Sequence, residues 1–321
     1  MKFEPTKLSK VIEQNYSHLM PDFFEMQTQY LASLNLIYHD LDASLIAMVL
    51  TSKIYKNSIL ELKKENKVSL KYFYVNEYSG IPASKFKIKD ISSILNLPRE
   101  TVRRKKEKLI KDNLINENKK KKIYYINKKM IERKIIDVQV INVSKFLSKF
   151  SIFFSRNKFF VSEVSTTQIK NDVEDKFLLY LIQFLDFQIS YFSKMKTILD
   201  IESVFIAMLC ALNTTAQLVS KYDQPVNSKD LFFKINDYNK TTGLNATSIA
   251  EITKVPRTTV LRKISVLEKS GLVKKDKFKR YGAEGLKNNE ISRRILPIMD
   301  HNIKILGLFF SKCLETYSLK N

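Results

Sequence analysis

The chain has 321 residues, with 55 Lys or Arg against 33 Asp or Glu, for a net charge of +22. Hydrophobic residues make up 44%, enough for a buried core in each of about two domains, and only six glycines and seven prolines argue against a sandwich of many turn-linked strands. The opening MKFEPTKLSKVIEQNY lacks an apolar leader core and no run of eighteen apolar residues occurs, so we expect a cytoplasmic protein with no membrane partner.

Residues 6–38 have the apolar spacing of an amphipathic helix, with a break expected near Pro21. Residues 41–62 form a strongly apolar helix, capped by Asp40 or Asp42. KYFYV, from Lys71, reads as a strand or a short helix with its aromatics in the core, and SGIPAS after it as a loop. Residues 89–95 make a short helix, NLP a turn with Pro98 at the first helical position, and residues 99–112 a second helix. LINEN and IYYIN then read as two strands around a charged tip. Residues 130–155 are a final helix, although IIDVQVINV also alternates like a strand. Cys210 and Cys313 lie in apolar helical patterns, as buried free thiols in a reducing compartment would.

This series occurs twice. DLDASLIAMV from Asp40 matches DIESVFIAML from Asp200, and FYVNEY from Phe73 matches FKINDY from Phe233, both 160 residues apart. PRETVRRKKEKLIKDNLI (98–115) matches PRTTVLRKISVLEKSGLV (256–273) at 158, with nine of eighteen positions identical. The reading is a tandem duplication, with domains at 1–160 and 161–321.

The charge follows the repeated segment. Residues 11–52 contain no Lys or Arg, residues 85–134 carry +12 and residues 254–294 carry +9. Two localised basic blocks are the footprint of a polyanionic partner.

A short helix, a tight turn, a longer basic helix and a two-stranded ribbon make a winged helix-turn-helix. The expected fold class is therefore mainly α: a tandem duplication of a winged helix-turn-helix domain, with flanking scaffold helices and small β-wings. Ile91, Ile94 and Leu97 supply the apolar face of the first helix and turn; Val102 and Leu109 hold the second helix on it, as Val260, Ile264 and Leu267 do in the second copy. Lys106 stands where the second copy has Ile264, so either its stem packs and its head snorkels or the helix is rotated. The opposite face shows Arg99, Thr101, Arg103, Arg104 and Lys108, with Arg257, Thr259 and Arg262 as the candidates of the second copy. A helix fits the major groove, where an arginine can bind guanine O6 and N7 together, worth about 1–3 kcal/mol of discrimination. Lys119, Lys120, Lys121 and Lys122 at one wing tip, and Lys277, Lys279 and Arg280 at the other, suit phosphates or a minor groove.

PRETVRRKKEKLIKDNLI resembles the recognition helix of catabolite-activator-type regulators, which carry Ser-Arg-Glu-Thr-Val, a later Arg and then Asn-Leu-Ile or Gly-Leu-Ile. The resemblance implies base contacts by Arg99, Glu100 and Arg104, and in the second copy by Arg257, Thr258 and Arg262, where Thr258 departs from the pattern. No cyclic-nucleotide barrel precedes the motif. The layout of flanking helices resembles MarR-type regulators, which use such helices to dimerise, although their Asp-x-Arg wing motif is absent.

The glycines offer no phosphate-binding loop, and His18, His39 and His301 are too scattered for a metal site, so no enzyme, cofactor or metal is expected. The favoured function is a sequence-specific double-stranded-DNA-binding transcriptional regulator acting as a single-chain pseudo-dimer. A plasmid-type replication initiator with tandem winged helices, or a scaffold of the chromosome or of a protein complex, stands as the alternative. A small-molecule effector and further self-association stay open.

Overall fold

The computed structural model describes residues 4–61, 68–75, 87–118, 120, 123–127, 133–156, 163–219, 225–234, 243–285 and 290–318. Among these the chain is mainly helical, with fourteen helices and two two-stranded antiparallel sheets. The first half runs α1 (Pro5–Gln14), α2 (Tyr16–Tyr38), α3 (Leu41–Glu61), α4 (Leu70–Val75), α5 (Ile88–Leu95), α6 (Arg99–Lys111), β1 (Ile115–Asn118), β2 (Ile123–Ile126) and α7 (Arg133–Arg156). The second runs α8 (Thr166–Asp175), α9 (Phe177–Met195), α10 (Ile201–Val219), α11 (Ser228–Lys234), α12 (Ala246–Thr253), α13 (Arg257–Lys269), β3 (Val273–Lys275), β4 (Tyr281–Ala283) and α14 (Glu290–Ser318).

The first helical break falls at Asn15, not near Pro21. Asn15 closes α1 with its side chain, whose Nδ2 donates to the Val11 carbonyl at 2.8 Å. Pro21 lies inside α2 near its start and withholds only the one bond its missing N–H would make. Asp40, not Asp42, caps α3: its Oδ1 accepts from the Ala43 amide at 3.0 Å. KYFYV is helical in α4, where Phe73 is buried between Tyr55 and Phe177, with ring centroids 5.7 Å and 5.0 Å away. The IIDVQVINV run is helical within α7, because its buried residues Val140, Val143, Phe146, Leu147 and Phe150 follow the 3.6-residue period. The SGIPAS segment lies outside the described residues.

Contacts divide the chain into two units, and neither is a contiguous half of the sequence. The first holds residues 37–193 and the end of α14 from Leu308; the second holds Pro5–Leu36 and Lys194–Gly307. Long-range bonds show what ties each together. In the second unit Ser17 exchanges two hydrogen bonds with Val226, at 2.9 Å and 2.8 Å. Ser228 donates to Glu13 at 2.6 Å, and Asn35 donates to the Thr253 carbonyl at 3.0 Å. In the first unit the Leu178 amide donates to the Val68 carbonyl at 3.1 Å, and Ser52 and Lys56 both hold Asp186. An apolar helix buries itself on whichever surface complements it, and sequence proximity does not decide that. The boundary expected at residue 160 therefore does not coincide with a unit boundary.

Each unit has a dense core. In the first, Phe146, Phe150 and Phe154 of α7 surround Phe310 of α14, with Phe150 and Phe310 stacked at 4.5 Å. In the second, Ile206, Leu209 and Cys210 of α10 meet Ile249, Val260, Ile264, Leu267, Val273 and Tyr281. Burying each such side chain contributes about 1.5–3 kcal/mol. Among the described residues α10 is the one helix long and apolar enough to cross a membrane, and more than half of it is buried in this core. Cys210 and Cys313 are buried free thiols, and burial pushes the Cys210 thiol up to about 12. Gly307 marks a close approach of α14 to α1: a Cβ there would lie 2.8 Å from the Pro5 carbonyl oxygen.

Candidate nucleic-acid interface

The two basic helices are framed by the same backbone bonds at positions 158 apart. Asn96 after α5 and Lys254 after α12 are both left-handed, with φ of 51° and 57°. That turn swings the chain so that Pro98 and Pro256 become the N-caps of α6 and α13, one residue before the first helical position expected for Pro98. Their carbonyls accept from the Val102 and Val260 amides at 3.0 Å and 2.9 Å. At the far ends Asn113 and Gly271 are left-handed, and the Leu114 and Leu272 amides return to Leu109 and Leu267 at 2.9 Å and 3.0 Å. Antiparallel ribbons follow, pairing Ile115 with Ile126 and Val273 with Ala283.

The apolar faces are close to those expected, with one correction. Ile91, Leu97, Val102 and Leu109 are buried, as are Val260, Ile264 and Leu267. Ile94 is 43% exposed, and Leu95 takes its place in the core. Leu95 lies four residues from Ile91 and shares its face, whereas Ile94 is rotated toward solvent. Ile252, the matching residue of the second copy, is exposed as well.

A lysine fastens each basic helix to the helix beneath it. Lys105 donates to Asp40 Oδ2 at 2.5 Å, and Lys263 to Asp200 Oδ1 at 2.7 Å. These are the carboxylates that cap α3 and α10, since Asp200 accepts from the Ser203 amide at 3.1 Å. Burial raises the Asp200 carboxyl, but the hydrogen bonds from Lys263 and Ser203 outweigh it and leave the group below its ordinary range. Lys106 does not face a void: its ammonium donates to the Tyr124 hydroxyl at 3.1 Å and sits 5.1 Å from the ring centroid. Its stem packs and its head reaches out.

Of the candidate contact residues on α6, Arg99, Glu100, Arg103, Arg104 and Lys108 are exposed and Thr101 is half-buried. They are not equivalent. Arg103 donates to both oxygens of Glu100, at 2.6 Å and 2.9 Å, and to Glu107 at 2.9 Å. The hydrogen bond from Arg103 holds the Glu100 carboxyl below its usual range. Lys108 lies 4.0 Å from Asp40. On α13 the three positions of this ionic trio carry Thr258, Leu261 and Ser265, all exposed. Arg257 and Arg262 are exposed and Thr259 is half-buried. Glu107 was not singled out in the sequence, although Glu100, Arg103 and Glu107 stand at the three- and four-residue spacings that pair on a helix.

At the tip of the β1–β2 ribbon Lys120 is exposed, while Lys119, Lys121 and Lys122 lie outside the described residues. At that of the β3–β4 ribbon, Lys277 and Lys279 are exposed and Arg280 is tied to Asp276 at 2.9 Å. Asp276 and Phe278 organise this tip and were not singled out in the sequence. Beside the end of α13, Lys269, Ser270, Glu290, Ile291 and Arg294 line an open depression whose rim is mostly charged. Among the described residues no group of three His, Cys, Asp or Glu is placed to hold a metal ion. Comparison of the chain with protein-family models, with curated proteins and with solved structures finds no match.

Proposed function

We propose that the chain is a sequence-specific double-stranded-DNA-binding transcriptional regulator with two winged helix-turn-helix modules in one polypeptide. One observation carries this reading. The frame of short helix, left-handed turn, Pro-capped basic helix and ribbon recurs, with the bonds at both ends of the basic helix repeated 158 residues on, and each time it leaves arginines exposed on the outer face. The fold needs the buried half of that helix, whereas the arginines stand at its surface, where Arg257 Nε reaches Thr247 Oγ1 at 3.4 Å.

In this reading α6 and α13 enter successive major grooves, Arg104 and Arg262 reach base edges, and the wing tips meet phosphates. The two modules read differently. The α6 face presents an ordered carboxylate, while the α13 face presents Leu261 and Val266, 36% and 51% exposed. Apolar side chains in the major groove suit thymine methyl groups. One chain then covers two unlike half-sites about one helical turn apart, roughly 10 bp.

Selection of bound duplexes from a random pool, followed by titration at increasing salt, tests the reading. It expects a two-part unsymmetrical site and, if about six phosphates are neutralised, a slope of log K against log salt near −5. Affinity that does not fall with salt would exclude duplex binding. A symmetric site bound by two chains would retain DNA binding and exclude the pseudo-dimer. Altered transcription from a promoter carrying the selected site distinguishes a regulator from an architectural protein.

A further inference from the structure

The tip of the second ribbon is built around one carboxylate. The Asp276 side chain is 2% exposed; its Oδ1 accepts from the amides of Phe278 and Arg280 at 2.8 Å each, and its Oδ2 from Arg280 Nε at 2.9 Å. The Asp276 amide donates to the Arg280 carbonyl at 2.9 Å, and left-handed Lys279 donates back to Asp276 at 3.1 Å. These bonds fix the tip conformation. What the tip holds out is Phe278, 62% exposed, the most exposed large hydrophobic side chain among the described residues. Lys277 Nζ lies 5.1 Å and Arg280 Cζ 5.0 Å from its ring centroid.

The turn, fixed by these bonds, presents the phenyl ring to water between two cations and forgoes the gain of burying it. Its surroundings define the partner it suits. A planar apolar group flanked by cations complements a surface that is planar and apolar at its centre and anionic at its edges. A base-pair step between its phosphates is such a surface. The ribbon begins four residues after α13 ends, so a tip ring and the basic helix can engage one stretch of duplex.

We propose, on the basis of the DNA-binding reading above, that Phe278 is a wedge. It enters a base step from the minor groove beside the site of α13, opens the stack and kinks the duplex, while Lys277 and Lys279 hold the adjoining phosphates. The buried Asp276 carboxylate, paired with Arg280, keeps its charge from the DNA. The corresponding stretch of the first copy is Lys119–Lys122, with no aromatic residue, so the kink belongs to the second half-site alone.

The experiment uses the full chain and a duplex carrying the selected site, with 2-aminopurine placed in turn at each step flanking the second half-site and a donor–acceptor pair on the duplex ends. The wild type is expected to raise 2-aminopurine emission at one step and to shorten the end-to-end distance. Phe278→Ala should abolish both and weaken binding about fivefold or more, while Phe278→Tyr should restore them. Salt-dependent binding with no unstacked step, or unstacking that survives Phe278→Ala, overturns the wedge and leaves DNA binding in place. Phe278-dependent preference for the single strand over the duplex also overturns it, as does Phe278-dependent capture by phosphatidylserine vesicles with unchanged duplex binding. Absence of any salt-dependent duplex binding removes both readings.

Discussion

The trio of Glu100, Arg103 and Glu107 makes a quantitative prediction about how the first copy meets DNA. One guanidinium is shared by two carboxylates, so the trio carries a net charge of −1 on the exposed face of α6. The double variant Glu100→Gln, Glu107→Gln releases Arg103 and removes two charges that repel phosphates. One added phosphate contact steepens the slope of log K against log salt by about 0.9. At about 0.15 M salt this corresponds to a complex about fivefold tighter, or about 1 kcal/mol. The fold bears the change easily, since exposed ion pairs on a helix contribute little to its stability. Base preference at the position met by Glu100 should relax, because a carboxylate acceptor is lost. Fluorescence anisotropy on the selected duplex, between about 50 and 200 mM salt, measures both affinity and slope. In the wild type, Arg103→Ala should leave the slope nearly unchanged. A double variant with unaltered affinity and slope, or a wild-type slope that flattens by a full contact in Arg103→Ala, would show that the arginine already leaves its carboxylates to bind DNA.

Three further outcomes are expected. Lys254 holds a left-handed φ of 57° where the first copy has Asn96, so Lys254→Asn should raise stability by up to about 1 kcal/mol in urea unfolding, and a loss would contradict the strain argument. Asp200→Ala removes the cap of α10 and one of the two carboxylates that hold Lys263, leaving Glu202 at 3.3 Å, and should cost about 1–2 kcal/mol. Because the Asp200 carboxyl is depressed in the folded state, its contribution is full above the ordinary aspartate range and fades as pH falls through the lower folded value, so the wild type and variant should converge in acid unfolding curves. Replacing thymine by uracil in the second half-site should weaken the wild type and not Leu261→Ala, and equal losses in both would exclude Leu261 as a methyl reader.

Much of the local structure could be read because its signals are local. Asp40 before an apolar run, Pro98 before a basic run and charged residues between two short strands each located an element to within a few residues. The misreadings arose where a choice turned on a particular side-chain contact or on helical phase, near or far in the chain. The break at Asn15 depends on a side chain folding back on Val11, a stronger local effect than a proline near the start of α2. Ile94 looked like core by composition, but phase with Ile91 favours Leu95. Lys106 looked like a conflict because its partner, Tyr124, lies on a strand eighteen residues away. The grouping of α1 with residues 194–307, and of α8 and α9 with residues 37–156, rests on surface complementarity that no sequence window contains. At the site, arginine positions were legible, but which were engaged was not: Arg103 is committed to two carboxylates and Lys105 to a helix cap.

The internal repeat separates residues kept for folding from residues kept for another purpose. Nine positions are identical between 98–115 and 256–273. Pro98 makes the turn, Val102, Leu109 and Leu114 are buried, Thr101 is half-buried, and Lys105 holds Asp40. Lys111 stands in the last turn of α6, where a cation complements the helix dipole. Two identical pairs remain, Arg99 with Arg257 and Arg104 with Arg262, and all four side chains are exposed. Arg99 and Arg257 even open their helices, where a cation opposes the dipole at a cost of about 0.3–1 kcal/mol. Among these arginines Arg257 makes a long bond to Thr247 of α12, at 3.4 Å, and at the helix start the dipole disfavours a cation. Arg99→Ala and Arg257→Ala should therefore leave stability equal or slightly raised while weakening duplex binding. Arg104→Ala and Arg262→Ala should each relax one guanine preference by about 1–3 kcal/mol, at different half-sites. Replacing Lys119–Lys122 should weaken all sequences alike. Parallel selections and thermal unfolding on these variants decide the matter. If the arginine variants lose stability and keep the selected motif, the exposed pairs serve the fold and the outer faces of α6 and α13 do not read DNA.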